Sequence, residues 1–200
     1  MLFVDLSGST GLAEWMEAEH YADLLAQLST LYEQVVPRHG GAVARIQGDG
    51  MLAIFGYPEV REDDGRRATE AALELHTLVR GLRPPGPLPE HFKGLTLHSG
   101  IHAGVVFVGE GDAVRGRYEL IGNAPNIAAR LAENARADEI LVSQETLGLQ
   151  SHYFETSARR QLHLRGRATP IGVYLVKGRS ALARRFVSEA LQNPHNAALL

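Results

Sequence analysis

Two aspartates carry the clearest chemical signal in this chain. Asp5 lies in VDLSGST, where an apolar run ends abruptly in a Ser/Gly/Thr turn, and Asp49 lies between glycines in RIQGDGMLAIFG. A carboxylate closing a buried run is costly unless something pairs with it, and glycines on both sides of Asp49 clear space for backbone approach. Brought together without a partner, the two would repel and one would take up a proton. A divalent cation removes that conflict, and hard oxygen donors with open coordination positions suit Mg²⁺ or Mn²⁺ carrying substrate phosphates. Two such ions roughly 3.5–4 Å apart would serve an in-line phosphoryl displacement. SGSTG, opening a helix, would present main-chain N–H groups of Ser7, Gly8, Ser9 and Thr10 to a phosphate. The plainer alternative is a pair of solvated surface carboxylates.

The elements that must position these groups can be read from periodicity and turn residues. Residues 2–6 form an apolar strand. A helical face runs from about Tyr21 to Val36, with Pro37 and Gly40-Gly41 as its stop. AVARIQ and MLAIFG read as a hairpin across Gly48-Asp49-Gly50. A second helix covers Asp64 to Leu82, and the proline-rich stretch from Arg83 to Gly94 is a loop. Strands follow on both sides of Gly104 and at YELIG, then a helix from Ala124 to Ala135, a strand at EILVS and a closing β segment over residues 152–177. This order predicts an α+β fold, an antiparallel-rich sheet with helices on one face and the first strand paired to the second.

Composition narrows the function classes. A hydrophobic content of 44%, 22% charged residues and a net charge of −3 are ordinary for a globular chain and give no reason to expect nucleic acid as a partner. No run approaches the roughly 20 apolar residues of a membrane span, and no signal-like N-terminus is visible, so a cytoplasmic protein is expected. With no cysteine, disulfides and thiolate zinc sites are excluded. The nine histidines form no H-E-x-x-H pattern, and most read as surface or core fillers. No phosphate-binding G-x-x-x-x-G-K-[ST] loop occurs, and GEG at Gly109 to Gly111 lacks a dinucleotide-binding context.

Five segments in order, FVDLSGST, RIQGDGMLAIFG, LHSGIHAGVVFVG, YELIGNAPNIAARL and EILVS, resemble the class III nucleotidyl (adenylate/guanylate) cyclase catalytic domain. LRGRATPIGVYLV resembles that family's closing L-K-G-x-x-x-P-x-x-V-Y segment. The resemblance covers residues 1–177 and implies a ferredoxin-like sheet acting as a homodimer with sites shared between protomers. It implies Asp5, Leu6 and Asp49 as the metal-binding set, Leu6 through its main chain, with two Mg²⁺ or Mn²⁺ ions per site. The other protomer would supply Asn126 to orient the ribose and Arg130 to stabilise charge on the α-phosphate; their i,i+4 spacing puts both on one helical face. A further triphosphate-binding arginine falls on Arg115 or Arg117. The substrate would be ATP or GTP, with no membrane partner. Such domains commonly accompany regulatory or ATPase domains, absent from these residues. The tail, residues 178–200, contains a short amphipathic stretch from Ser180 to Leu191 that would pack on the domain or lead into a missing module. A polymerase-palm or diguanylate cyclase relative would need a GG[DE]EF-like hairpin, and GDG stands there instead.

The sequence departs from the family where the base is selected. Adenylate cyclases usually carry Lys and Asp or Thr at the two selecting positions, and guanylate cyclases Glu and Cys; here stand Arg45 and Glu119. Arg only donates and ionised Glu only accepts. Arg45 on N1 with Glu119 on the amino group reads adenine, the favoured assignment. A shifted base would put Arg45 on O6 and Glu119 on N1–H, reading guanine. A third alternative pairs the two residues with each other and leaves the base unread. The unusual pair also favours a second reading, a non-catalytic nucleotide-binding or dimerisation sensor module of the same fold.

Overall fold

The computed structural model describes residues 1–88, 90, 92–111, 117–181 and 183. Strand β1 (Leu2–Leu6) alternates strictly: Leu2, Val4 and Leu6 are buried in the main core, while Phe3 and Asp5 turn to the opposite face. After the turn come α1 (Ser9–Trp15) and α2 (Ala18–Arg38), separated by extended backbone at Met16 and Glu17. Helix α2 does not stop at Pro37 as the sequence suggested. A proline in the last turn forfeits one intrahelical bond only, and the chain leaves the helix at Gly40, whose φ of 69° few other residues would accept.

The hairpin of β2 (Ala42–Gln47) and β3 (Gly50–Ile54) forms as expected, but β1 pairs with β3 and not with β2. Strand β3 is buried along its whole length and belongs inside a sheet, whereas β2 carries Arg45 and Gln47 and takes the edge. Helix α3 (Asp64–Gly81) leads to β4 (Leu97–Ile101), then β5 (Phe107–Glu110), β6 (Tyr118–Ile121), α4 (Ala124–Glu133) and β7 (Ile140–Ser143). The chain continues through α5 (Gln144–Leu147), a 3-10 turn over Gly148–Tyr153, β8 (Phe154–Thr156), β9 (Arg160–Leu162) and β10 (Ile171–Arg179). The main sheet runs β2-β3-β1-β4-β7-β10-β8, with β9 also on β10, and every pair is antiparallel except β4–β7. Strands β5 and β6 form a separate ribbon, tied to β2 by the Arg117 N–H donating to the Ala44 carbonyl at 2.8 Å. Most of the tail lies outside the described residues. Among those described, no helix is long and apolar enough to cross a membrane.

Helices cover both faces, correcting the one-face expectation. Helices α2 and α3 bury the Leu2/Val4/Leu6 side, and α4 sits on the other with Met1, Phe3, Leu52 and Ile54. Gly100 explains the close seating of α4: a Cβ there would overlap the Ala128 carbonyl and the Ala132 amide. Neither backbone group can yield, so Gly100→Ala is expected to destabilise the fold by about 1–3 kcal/mol or more, read as a lower urea midpoint with unchanged slope.

Candidate active site

The exit of β1, the β2–β3 hairpin and β4 converge at one end of the sheet on the α4 face. The register Val4↔Met51 brings Asp5 to the Gly50 end of the hairpin. A Cβ on Gly50 would stand 3.1 Å from Asp5 Oδ1, so glycine there lets the carboxylate close on the hairpin tip. From below, the buried Tyr32 hydroxyl of α2 donates to the Asp49 carbonyl at 2.8 Å and fixes that tip. Asp5 and Asp49 line one cavity together with Phe3, Arg45 and Gln47.

The electrostatics of this pair are unfavourable without a cation. Burial raises the Asp5 carboxyl to about 6, and the adjacent charge of Asp49 with a carboxyl–carboxyl hydrogen bond adds to the rise. Asp49 Oδ2 is buried with no hydrogen-bond partner among the described residues. An orphaned carboxylate oxygen beside a second carboxyl is costly as it stands and suits a hard divalent cation. No cluster of three or more His, Asp or Glu side chains stands ready for a metal among the described residues. Two carboxylates with main-chain oxygen, water and substrate phosphate making up the shell are nevertheless a sufficient set for Mg²⁺. The residues present therefore fit such an ion.

The SGST turn is held tightly. Ser7 gives its N–H to the Thr96 carbonyl at 2.8 Å, so that donor is already engaged, and its hydroxyl meets His98 Nδ1 at 3.2 Å. Gly8 caps α1 with a φ of 72°, and Ser9 and Thr10 begin the helix. Leu6 closes β1 directly behind Asp5.

The second group of residues expected at the site stands apart from the carboxylates within one chain. Asn126 lines a cavity with Arg45, Glu119, Leu52 and Pro125. Neither Asn126 nor Arg130 lines the Asp5/Asp49 cavity. Arg130, one turn further along α4, directs its guanidinium to the Gly166 loop, where a Cβ would stand 3.5 Å away. Arg117 lines a third cavity against Glu33, Pro37 and Arg45, and Arg115 lies outside the described residues. Arg45 borders all three cavities.

Three features were not visible in the sequence. A bulge in β2 shifts the register between Val43↔Ala53 and Arg45↔Leu52. Val43 and Ile46 thereby both face the core while Arg45 and Gln47 face the carboxylates. Tyr32 carried only its helical apolar position as a signal. His98 looked like one of nine scattered histidines, yet it is the cross-strand neighbour of Asp5, with Nε2 3.8 Å from Asp5 Oδ2. His76 and His102 are likewise not simple fillers. His76 Nε2 meets Ser99 Oγ at 2.8 Å and His102 Nδ1 meets Ser143 Oγ at 2.9 Å, and burial lowers both to about 4.

The architecture is thus a mixed, mostly antiparallel sheet with helices on both faces and a carboxylate pair at the exit of its β1 strand. Residues 1–178 match the adenylate and guanylate cyclase catalytic domain, and the chain belongs to this class III cyclase family. An uncharacterized protein of Mycobacterium tuberculosis (strain H37Rv) is 35% identical over 150 residues, covering 74% of this chain and 26% of the relative. An adenylate cyclase of the same organism is 25% identical over 185 residues, covering 92% of this chain and 40% of its own length. The chain thus spans between about a quarter and two fifths of these relatives. Among solved structures, the adenylyl cyclase CyaB of P. aeruginosa superposes with a TM-score of 0.79 at 28% identity, covering 90% of this chain and 93% of that one. The guanylyl cyclase Cya2 gives 0.77 at 26% identity, covering 90% and 91%.

Proposed function

We propose that the chain is an active adenylate cyclase that converts ATP to 3′,5′-cyclic AMP and pyrophosphate in a homodimer with two shared sites. The observation that carries this reading is the Asp5/Asp49 pair, with its orphaned buried oxygen and raised carboxyl, at the end of a cyclase-family strand. In the reaction the ribose 3′-oxygen forms a bond to the α-phosphorus, the bond from that phosphorus to the bridging oxygen breaks, and the hydroxyl proton passes to solvent. Divalent ions held by Asp5, Asp49 and the Leu6 main chain would supply charge neutralisation and acidify the attacking hydroxyl.

The protein's own residues do the rest. Asn126 from the partner orients the ribose, and Arg130 places its fork where negative charge develops on the α-phosphate, electrostatic aid of the kind that often dominates catalysis. Ser9 and Thr10 at the start of α1 would offer main-chain N–H groups to the polyphosphate, with Arg117 or Arg115 as its cationic contact. Residues 1–177 are taken as the catalytic unit and 178–200 as an appended tail.

Base choice rests on Arg45 and Glu119, which border one cavity with Asn126. A donor-only and an acceptor-only side chain match the N1 acceptor and N6 donor edge of adenine without moving the base. Purified protein supplied with Mn²⁺ and either nucleotide is expected to form cyclic AMP at least about tenfold faster than cyclic GMP, a margin of ~1.4 kcal/mol. Preference for GTP would reverse the base assignment. Tight nucleotide binding with neither product would instead support the non-catalytic reading.

A further inference from the structure

Among the described residues at the polar end of the sheet, His98 is a side chain to which the cyclase reading gives no role. His98 lies directly opposite Asp5 in the β1–β4 ladder, so both side chains rise on the same face. Its two ring nitrogens meet two different parts of the site. Nδ1 is 3.2 Å from the Ser7 hydroxyl and Nε2 is 3.8 Å from Asp5 Oδ2. The ring is largely enclosed, with a side-chain exposure of 20%. A Ser7 hydroxyl that donates to Nδ1 would leave the ring N–H on Nε2, toward Asp5. At 3.8 Å the Nε2–Oδ2 separation is longer than a hydrogen bond, so the positioning contact requires the two side chains to draw together when Asp5 holds a metal.

We propose that His98 is a positioning residue for the metal-binding carboxylates, one imidazole that holds Asp5 through Nε2–H and the SGST turn through Nδ1. The proposal rests on the reading that Asp5 and Asp49 hold divalent metal. Its physical content is an outer-shell contact. A carboxylate that must present one oxygen to a metal binds better when its other oxygen is held by a fixed donor, because fewer orientations are lost on binding. The Ser7 N–H is anchored on the Thr96 carbonyl, which fixes the Ser7 main chain beside the ring. Asp5 and the residue two positions later are thereby tied to one side chain of the neighbouring strand. Asp49 Oδ2 is unpartnered among the described residues, and Tyr32 fixes the Asp49 main chain through its carbonyl.

The test is Mn²⁺ binding by the full chain, followed by electron paramagnetic resonance of the free ion, with and without 3′-deoxy-ATP, which cannot cyclise. Asp5→Ala serves as the reference for loss of the site. His98→Ala is expected to weaken Mn²⁺ binding by about 10–100-fold, the usual cost of losing an outer-shell partner, and His98→Gln, which keeps an N–H donor, to recover part of it. In the activity assay the same variants should need more Mn²⁺ for half-maximal rate, while kcat at saturating Mn²⁺ stays within about threefold of wild type. A residue that merely filled space would instead lower thermal stability and rate at every metal concentration. Should His98→Ala not fold, Ser7→Ala carries the question, since freeing the ring is expected to weaken Mn²⁺ binding several-fold. If Asp5→Ala abolishes Mn²⁺ binding while the His98 and Ser7 variants bind within twofold of wild type, the positioning role is wrong and the metal site stands. If Asp5→Ala itself binds Mn²⁺ normally, the metal reading fails and the proposal falls with it.

Discussion

Asp5→Asn is expected to abolish cyclase activity while leaving the metal-free protein at least as stable as wild type. The two effects have one origin. Loss of several kcal/mol of metal-derived charge stabilisation, say ~4, lowers the rate by about 10³-fold. The same substitution removes one of two carboxyls that repel each other in a partly buried cavity. Because the folded carboxyl is raised to about 6 from an ordinary 3.8, the native state binds its proton more tightly than the unfolded chain. The metal-free wild type therefore holds its full contribution from Asp5 below about pH 4 and loses it as pH rises through about 6. Asp5→Asn lacks this slope. Allowing for solvent screening at a side chain 35% exposed, the variant should gain about 1 kcal/mol over wild type at pH 7. Denaturant melts at pH 4 and pH 7, each with and without Mn²⁺, check this. Mn²⁺ should stabilise the wild type at pH 7 and leave the variant unmoved. An active Asp5→Asn would remove the basis for the metal reading.

How much of this was legible follows from what each feature depends on. Strand β1 and the β2–β3 hairpin were readable because their signals are local: an apolar run, and glycines on both sides of a turn residue. The adjacency of Asp5 and Asp49 was reachable from those signals, although through the wrong neighbour. Strand β3 rather than β2 lies beside β1, and only the contrast between a fully apolar strand and one carrying Arg45 and Gln47 hinted at the choice. The placement of α4 on the second face depended on Gly100, whose meaning is invisible until Ala128 is brought against it.

The parts of the site that escaped the sequence are those defined by pairing between strands. Arg45 reaches the carboxylate face because one extra residue in β2 reverses the alternation after Val43. No local pattern marks that residue. His98 is 93 positions from Asp5 in sequence and directly opposite it in the sheet. Asn126 and Arg130 were readable from their motif and helical spacing, yet that spacing says nothing of which carboxylates they would serve.

That last question has a direct answer by complementation. Asn126 and Arg130 do not line the Asp5/Asp49 cavity of their own chain. If each site draws its carboxylates from one protomer and its Asn/Arg pair from the other, Asp5→Ala and Asn126→Ala should both be inactive alone. A mixed dimer then has one site carrying both lesions and one carrying neither. With random pairing at equal amounts, half the dimers are mixed and each holds one intact site of two, so activity should recover to about a quarter of wild type. Coexpression with two different affinity tags, followed by tandem purification of the mixed species, should raise this to about half. Sites contained within a single chain give no recovery under either arrangement, because every chain then carries a lesion in its own site. Mixed dimers verified by mass and still inactive would therefore place the whole reaction within one protomer and require Asn126 and Arg130 to approach Asp5 by a movement of α4. Gly100 makes such a movement costly: α4 is seated backbone to backbone on β4 at that residue, and lifting it would open the packing of Ala124, Ala128 and Leu131 that the close approach creates.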